Sequence, residues 1–271
     1  MKRRIKWKNI FVFIFILIFS ILLIISLVNI IKWQLDNIHN KDNMDNVSDK
    51  VKIKKVKDNK NTEIINQDVD KSNPYWDFIK MDLINVDFSK LKKENSDTVG
   101  WIQVKGTNIN YPFVQTNNND YYLHHSFNKS YNSAGWVFLD YRNKINNEDR
   151  NMILYAHGRL NKTMFGSLKN VFKNGWLENP NNYVVRLSTE YENTMWQVFS
   201  IYKIETTSDY LKINFISDDD FLEFANKLKD RSNHDFNINV LPSDRILTLS
   251  TCYDKTHKVV LHAKLIKKGK R

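Results

Sequence analysis

One cysteine and one well-placed histidine are the side chains best suited to chemistry in this sequence. Cys252 closes the run TLSTC at 248–252, and the polar segment YDKTH follows it. His157 closes NMILYAH, and Gly158 comes directly after it. Both runs have the apolar, β-branched character of strands, so each side chain stands where a strand leaves the core and can face a groove. A thiolate there attacks a carbonyl and an imidazole protonates the departing amine, which are the two parts that cysteine acyl transfer needs. Taken singly, each residue has a plainer reading. A lone cysteine is often inert core filler, and a strand-end histidine is often a hydrogen-bonded surface residue. His124 and His125 are adjacent in a loop-like stretch, His234 lies in a polar loop, His257 precedes the last strand run and His262 lies within it. None of them forms HxH or HxxxH spacing, so no zinc site is indicated.

The elements that must position this pair follow from the patterning. Aromatic residues begin in earnest at Tyr75, Trp76 and Phe78, after Asn73 and Pro74, and Trp76, Ile79 and Leu83 recur at helical spacing. A second short helix is expected over 88–94. Eight strand-like runs then follow, at 101–105, 109–114, 135–140, 152–157, 182–187, 194–204, 245–252 and 258–267. The segments 163–173 and 217–232 carry helical apolar spacing, and Ser217 followed by acids makes an N-terminal cap. Many short strands with few helices predict a mainly β fold, a closed or nearly closed barrel with helices packed outside. One cysteine rules out an internal disulfide framework. Seven glycines with no GxG pair leave no phosphate-cradling loop, which argues against a kinase or dinucleotide enzyme.

The net charge of +11 first suggests nucleic acid, but its distribution removes the suggestion. Residues 1–31 hold five Lys or Arg and no acid, 32–73 hold nine Lys against eight acids, and 74–271 hold 27 basic against 22 acidic residues. The folded part is therefore ordinary in charge, and the N-terminal excess reads as a topology signal. Residues 10–31 contain no charge, and such a helix reaches roughly 33 Å, enough for a bilayer core of about 30 Å. Lys2, Arg3, Arg4, Lys6 and Lys8 precede it, which predicts a cytoplasmic tail at 1–9, a membrane span at 10–31 and an extracellular remainder. The run exceeds a cleaved signal's apolar core and no small-x-small site follows, so an uncleaved anchor is favoured. Residues 34–73 hold no aromatic, glycine or proline, and 32–73 are expected to be a solvated polar spacer before the domain at 74–271.

TLSTC at 248–252 resembles the TLxTC motif of sortases, and YAHG at 155–158 resembles the segment that carries their histidine. GWIQVKGTNINYPFVQ at 100–115, DYYLHHSF at 120–127, GWVFLDYRN at 135–143 and the helix-bearing insert at 217–232 resemble class B sortases in particular. The similarity covers about residues 75–267, and its ordered set of motifs is more specific than any one of them. It implies an eight-stranded sortase-type β-barrel with peripheral helices, preceded by the transmembrane helix. It also implies a membrane-anchored cysteine transpeptidase on the outer face of a Gram-positive cell, working without metal or organic cofactor and without nucleic acid.

In that reading Cys252 attacks the threonine carbonyl of a C-terminal sorting motif in a surface protein, and a cell-wall amine resolves the thioacyl enzyme. His157 donates to the leaving amine. Sortases carry an arginine on the strand after the cysteine, and counting back from AKLIK puts Lys258 in its place. Lysine keeps the charge but lacks the planar fork, and a solvated strand-end lysine is the plainer alternative. By similarity the peptide groove is lined by Asn119, Leu123, Thr206, Tyr210 and Ser250. Asp254 suits either a partner for His157 or Lys258, or a turn; Arg245 starts the cysteine strand, too far away to serve. Two other functions remain open from sequence: a cysteine peptidase hydrolysing the same acyl-enzyme, and a weakened homologue that binds the peptide without joining it.

Overall fold

The computed structural model describes residues 7–65, 67, 69–145 and 149–271. The chain divides into two compact units, Met1–Asp42 and Asn43–Arg271. Helix α1 (Trp7–Asp49) supplies the first unit and extends past its boundary. Its apolar stretch is exposed and is long and apolar enough to cross a membrane. A helix satisfies its own backbone groups, so it is the form that such a stretch takes in lipid. Of the basic residues before the span, Lys8 lies in α1, whereas Lys2, Arg3, Arg4 and Lys6 lie outside the described residues.

The second unit is built on a closed ring of eight strands: β4 (Thr98–Val104), β5 (Asn110–Val114), β6 (Phe138–Leu139), β7 (Asn151–Tyr155), β8 (Val184–Thr189), β9 (Glu192–Glu205), β10 (Ile246–Cys252) and β11 (His257–Lys270). Their order is β10-β7-β6-β5-β4-β8-β9-β11, and pairing of β10 with β11 closes the barrel. The β5–β6 and β7–β10 pairs are parallel and the others antiparallel. Each ring strand falls on one of the eight runs expected from sequence. Trp101, Phe113, Trp196, Phe199, Leu249 and Leu261 are buried in one continuous core. Gly100 sits at the irregularity between β4 and β5, where a Cβ would stand 2.3 Å from the Phe113 ring.

Three expectations change. The segment read as a spacer contributes β1 (Ile53–Val56), paired with β3 (Leu83–Val86), and β2 (Thr62–Ile64), paired with the end of β11. An edge strand needs only one apolar face and backbone partners, so a lysine-rich stretch can add to a sheet. Leu83 opens β3 instead of continuing a helix, because α2 is only the turn Tyr75–Phe78 that buries Tyr75 and Phe78. The 163–173 run forms a 3-10 helix over Gly166–Phe172. By contrast α3 (Ser89–Glu94) and α5 (Asp218–Asp230) agree with the expected helices, and the Ser217 hydroxyl accepts the Asp220 N–H at 3.1 Å as a cap. A further turn, α4, spans Asn174–Leu177.

Candidate active site

Strand register brings the cysteine and the histidine to one end of the barrel. In the parallel pair, Ser250 stands beside Tyr155. Cys252 and His157 each lie two residues further on, so both chains leave the barrel together. The close approach shows at Gly158, where a Cβ would stand 2.1 Å from the Cys252 carbonyl oxygen. Thr251 Oγ1 also donates to the Ala156 carbonyl at 2.7 Å, locking the two strand ends. A side chain at position 158 would collide with the Cys252 backbone, so the two strand ends can meet this closely only at a glycine.

Lys258 reaches the site by the hairpin between β10 and β11, in which Cys252 and Lys258 are directly opposed. Its Nζ donates to Cys252 Sγ at 3.1 Å. Among the described residues no carboxylate pairs with Lys258. The turn is held by Asp254, whose Oδ1 accepts the His257 N–H at 2.8 Å and the Thr256 N–H at 2.9 Å. These bonds, with His257 Nδ1 as a further partner, hold the Asp254 carboxyl well below the usual range. Asp254 is thus a turn residue, not a partner of His157 or Lys258. Arg245 lies at the far end of β10, paired with Glu192 at 3.2 Å.

His157 Nε2 donates to the Leu123 carbonyl at 2.8 Å, an assignment that follows because a carbonyl only accepts. That leaves Nδ1 as the basic nitrogen. Burial holds His157 below the ordinary histidine range, and nearby positive charge at Lys258 and Arg159 adds to this against the opposing pull of the Leu123 carbonyl. Burial thus favours the neutral imidazole, the form that accepts a proton.

The three side chains face a cavity of about 740 Å³, and Asn119, Leu123, Thr206, Tyr210 and Ser250 line the same cavity. All eight residues singled out from sequence are thus brought together. Tyr210 and Ser250 share a hydroxyl bond of 2.9 Å, and Thr206 is tied to the hairpin turn through the Thr256 carbonyl at 3.0 Å. A second cavity of about 790 Å³, beside the β1–β3 ribbon and the β4–β5 turn, is slightly larger but holds no cysteine or histidine. Volume alone would choose wrongly between them; the nucleophile decides.

Sequence reasoning missed the support of one groove wall. Asp140 is fully buried, and its Oδ2 accepts from Tyr155 Oη at 2.8 Å, Asn119 Nδ2 at 3.1 Å and Arg142 Nη2 at 2.8 Å. Burial opposes ionisation of Asp140, yet the Arg142 and Tyr155 bonds keep its carboxyl below the usual range. Arg142 Nη2 also donates to the carbonyl of Leu211, which lines the same cavity, at 3.1 Å. Tyr155 was within reach of sequence reasoning, since strand alternation puts residues 155 and 157 on one face. Asp140 gave no comparable signal, because an acid after a strand reads equally well as a turn. Among the described residues no group of three or more His, Cys, Asp or Glu is arranged to hold a metal.

A thiol, a neutral imidazole and a cation at the open end of an eight-stranded barrel define a cysteine acyl-transfer enzyme. The model of the sortase domain matches residues 102–266. Sortase B of Staphylococcus aureus is 37% identical over 184 residues, covering 66% of this chain and 75% of that protein. A solved sortase B complexed with triglycine has a TM-score of 0.63 at 37% identity and covers 66% of this chain and 85% of its own. The Staphylococcus aureus sortase B–substrate complex has a TM-score of 0.62 at 37% identity, with 66% and 84% covered. The chain belongs to the sortase family, within class B. It is a cysteine transpeptidase of the sortase type.

Proposed function

We propose that this transpeptidase cleaves a C-terminal sorting motif of surface proteins after threonine and joins the acyl fragment to a cell-wall amine. The observation that carries the reading is that Cys252, His157 and Lys258 line one cavity, with Lys258 Nζ 3.1 Å from the sulfur. In the first step Cys252 Sγ attacks the threonine carbonyl and its proton passes to His157. Lys258 stabilises the thiolate and the negative charge that develops on the carbonyl oxygen. His157 then gives the proton to the departing amine, leaving a thioacyl enzyme. The acceptor amine enters, loses a proton to the neutral imidazole and displaces the thiolate. Asn119, Leu123, Thr206, Tyr210 and Ser250 hold the motif, which the class B resemblance makes an NPxTx-type pentapeptide.

Residues 10–31 anchor the enzyme in membrane lipid, with residues 1–9 cytoplasmic and the catalytic domain facing the wall of a Gram-positive cell. The charge asymmetry before the span supports this orientation. The acceptor is then an amine of peptidoglycan or of a lipid-linked precursor presented at the same surface. The test is incubation of the full chain in detergent micelles with NPxTx peptides, with and without triglycine, with products read by mass spectrometry. A peptide–triglycine conjugate that disappears in Cys252→Ala is the expected result. Hydrolysed peptide alone, despite abundant triglycine, would make the chain a peptidase. Binding with no Cys252 adduct would make it a ligand-holding homologue.

A further inference from the structure

The thioacyl enzyme places an electrophilic carbonyl carbon on Cys252 Sγ, and the chain sets a primary amine beside it. Lys258 Nζ is 3.1 Å from that sulfur, the atom to which the acyl carbon is bonded. The two side chains are held there by backbone pairing, since residues 252 and 258 are directly opposed on β10 and β11 and Lys258 is also paired with Ile204 on β9. Among the described residues no carboxylate draws the amine elsewhere. His157 lines the same cavity, neutral and able to take a proton.

We propose that Lys258 is an internal acyl acceptor, a self-modification site that captures the acyl group of Cys252 when no external amine arrives. This inference rests on the assignment of Cys252 as the nucleophile. The neutral Lys258 amine adds to the thioester carbonyl, the C–S bond breaks and a C–N bond forms. Sulfur leaves as thiolate and takes up the proton that nitrogen loses, directly or through His157. The balance is thioester plus amine to amide plus thiol, with no further reactant. While protonated, Lys258 stabilises the reaction's anions and cannot attack; once neutral, it competes with the external acceptor. Each capture leaves a stable amide and removes the site's cation, so turnover without acceptor is self-limiting. A guanidinium in the same place has no such reaction open to it under these conditions.

The test loads the thiol without requiring motif recognition. The full chain in detergent micelles is treated with phenyl thioacetate, which acetylates Cys252 by thioester exchange, and then with hydroxylamine, which cleaves thioesters and spares amides. The digested protein is mapped by mass spectrometry. The expected result is a hydroxylamine-resistant acetyl group on Lys258, more than about tenfold above the other lysines. It should be absent in Cys252→Ala. Lys258→Arg should retain the labile acetyl group on Cys252 and form no amide. A labile acetyl group on Cys252 with no excess on Lys258 overturns the inference and leaves the nucleophile assignment intact. Equal labelling of Lys258 in Cys252→Ala overturns it as well, by showing direct acetylation. Absence of acetyl from both residues counts against the nucleophile assignment and the inference together.

Discussion

Lys258 and Lys264 occupy the same strand, yet the fold treats their charges in opposite ways. Lys264 is fully buried, with Nζ 2.6 Å from Asp244 Oδ2 and 2.6 Å from the Asn239 carbonyl. Burial draws its pKa down while Asp244 resists, so its charge is matched by a partner inside the protein. Lys258 is half-buried, and its Nζ donates to the Cys252 thiol in place of a carboxylate. A cation matched by a carboxylate is spent on structure, whereas one left unmatched in a groove is available to charge that appears only during reaction. Between them stands His262, buried in the barrel, bonded through Nε2 to Tyr202 Oη at 2.8 Å and through Nδ1 to Thr248 Oγ1 at 2.9 Å. One strand thus passes from chemistry to a neutral polar core to a buried ion pair.

The comparison breaks most readily at Lys264. Lys264→Met leaves the buried Asp244 carboxylate unpaired and is expected to cost about 3–5 kcal/mol of stability. The urea midpoint checks this, and turnover per folded molecule should be unchanged. A midpoint close to wild type would mean that the pair is not structural. Lys258→Met should do the reverse, changing stability by only about 0.5 kcal/mol but lowering kcat about 10²–10³-fold, as loss of one oxyanion donor does. If kcat survives that change, the unmatched lysine has no part in the reaction.

A smaller effect lies in the pH dependence of the barrel. Burial pushes the His262 pKa down to about 3, so the native state refuses a proton that the unfolded chain binds below its ordinary value of 6.5. The stability contribution is full above about pH 6.5 and is lost as pH falls towards 3, by at most roughly 1.4 kcal/mol per unit. Urea midpoints measured across that window for wild type and His262→Gln test it. The variant should give the flatter profile, and identical slopes would remove His262 from the acid response.

The eight ring strands were legible because each contains an apolar run bounded by turn residues. Cys252 and His157 were legible because each ends such a run, and Lys258 because the hairpin could be counted back from AKLIK. Three features resisted sequence reasoning for physical reasons. Strands β1 and β2 are short edges whose charged residues, Lys54 and Lys55 in one and Glu63 in the other, face solvent, so their order comes from partners distant in sequence. Leu83 sits at a spacing that suits a helix, and only pairing of Val56 with it reveals a strand. The Asp140 hub joins its near neighbour Arg142 to residues 119 and 155, which only tertiary structure brings to it.

The most direct measurement is the intact mass of the full chain in detergent micelles, quenched in acid within seconds of adding an NPxTx peptide. The expected result is one covalent adduct carrying the peptide through its threonine, released by hydroxylamine and missing from Cys252→Ala. An adduct that persists in Cys252→Ala, or turnover of peptide in that variant, would contradict the assignment of Cys252 as the acyl carrier.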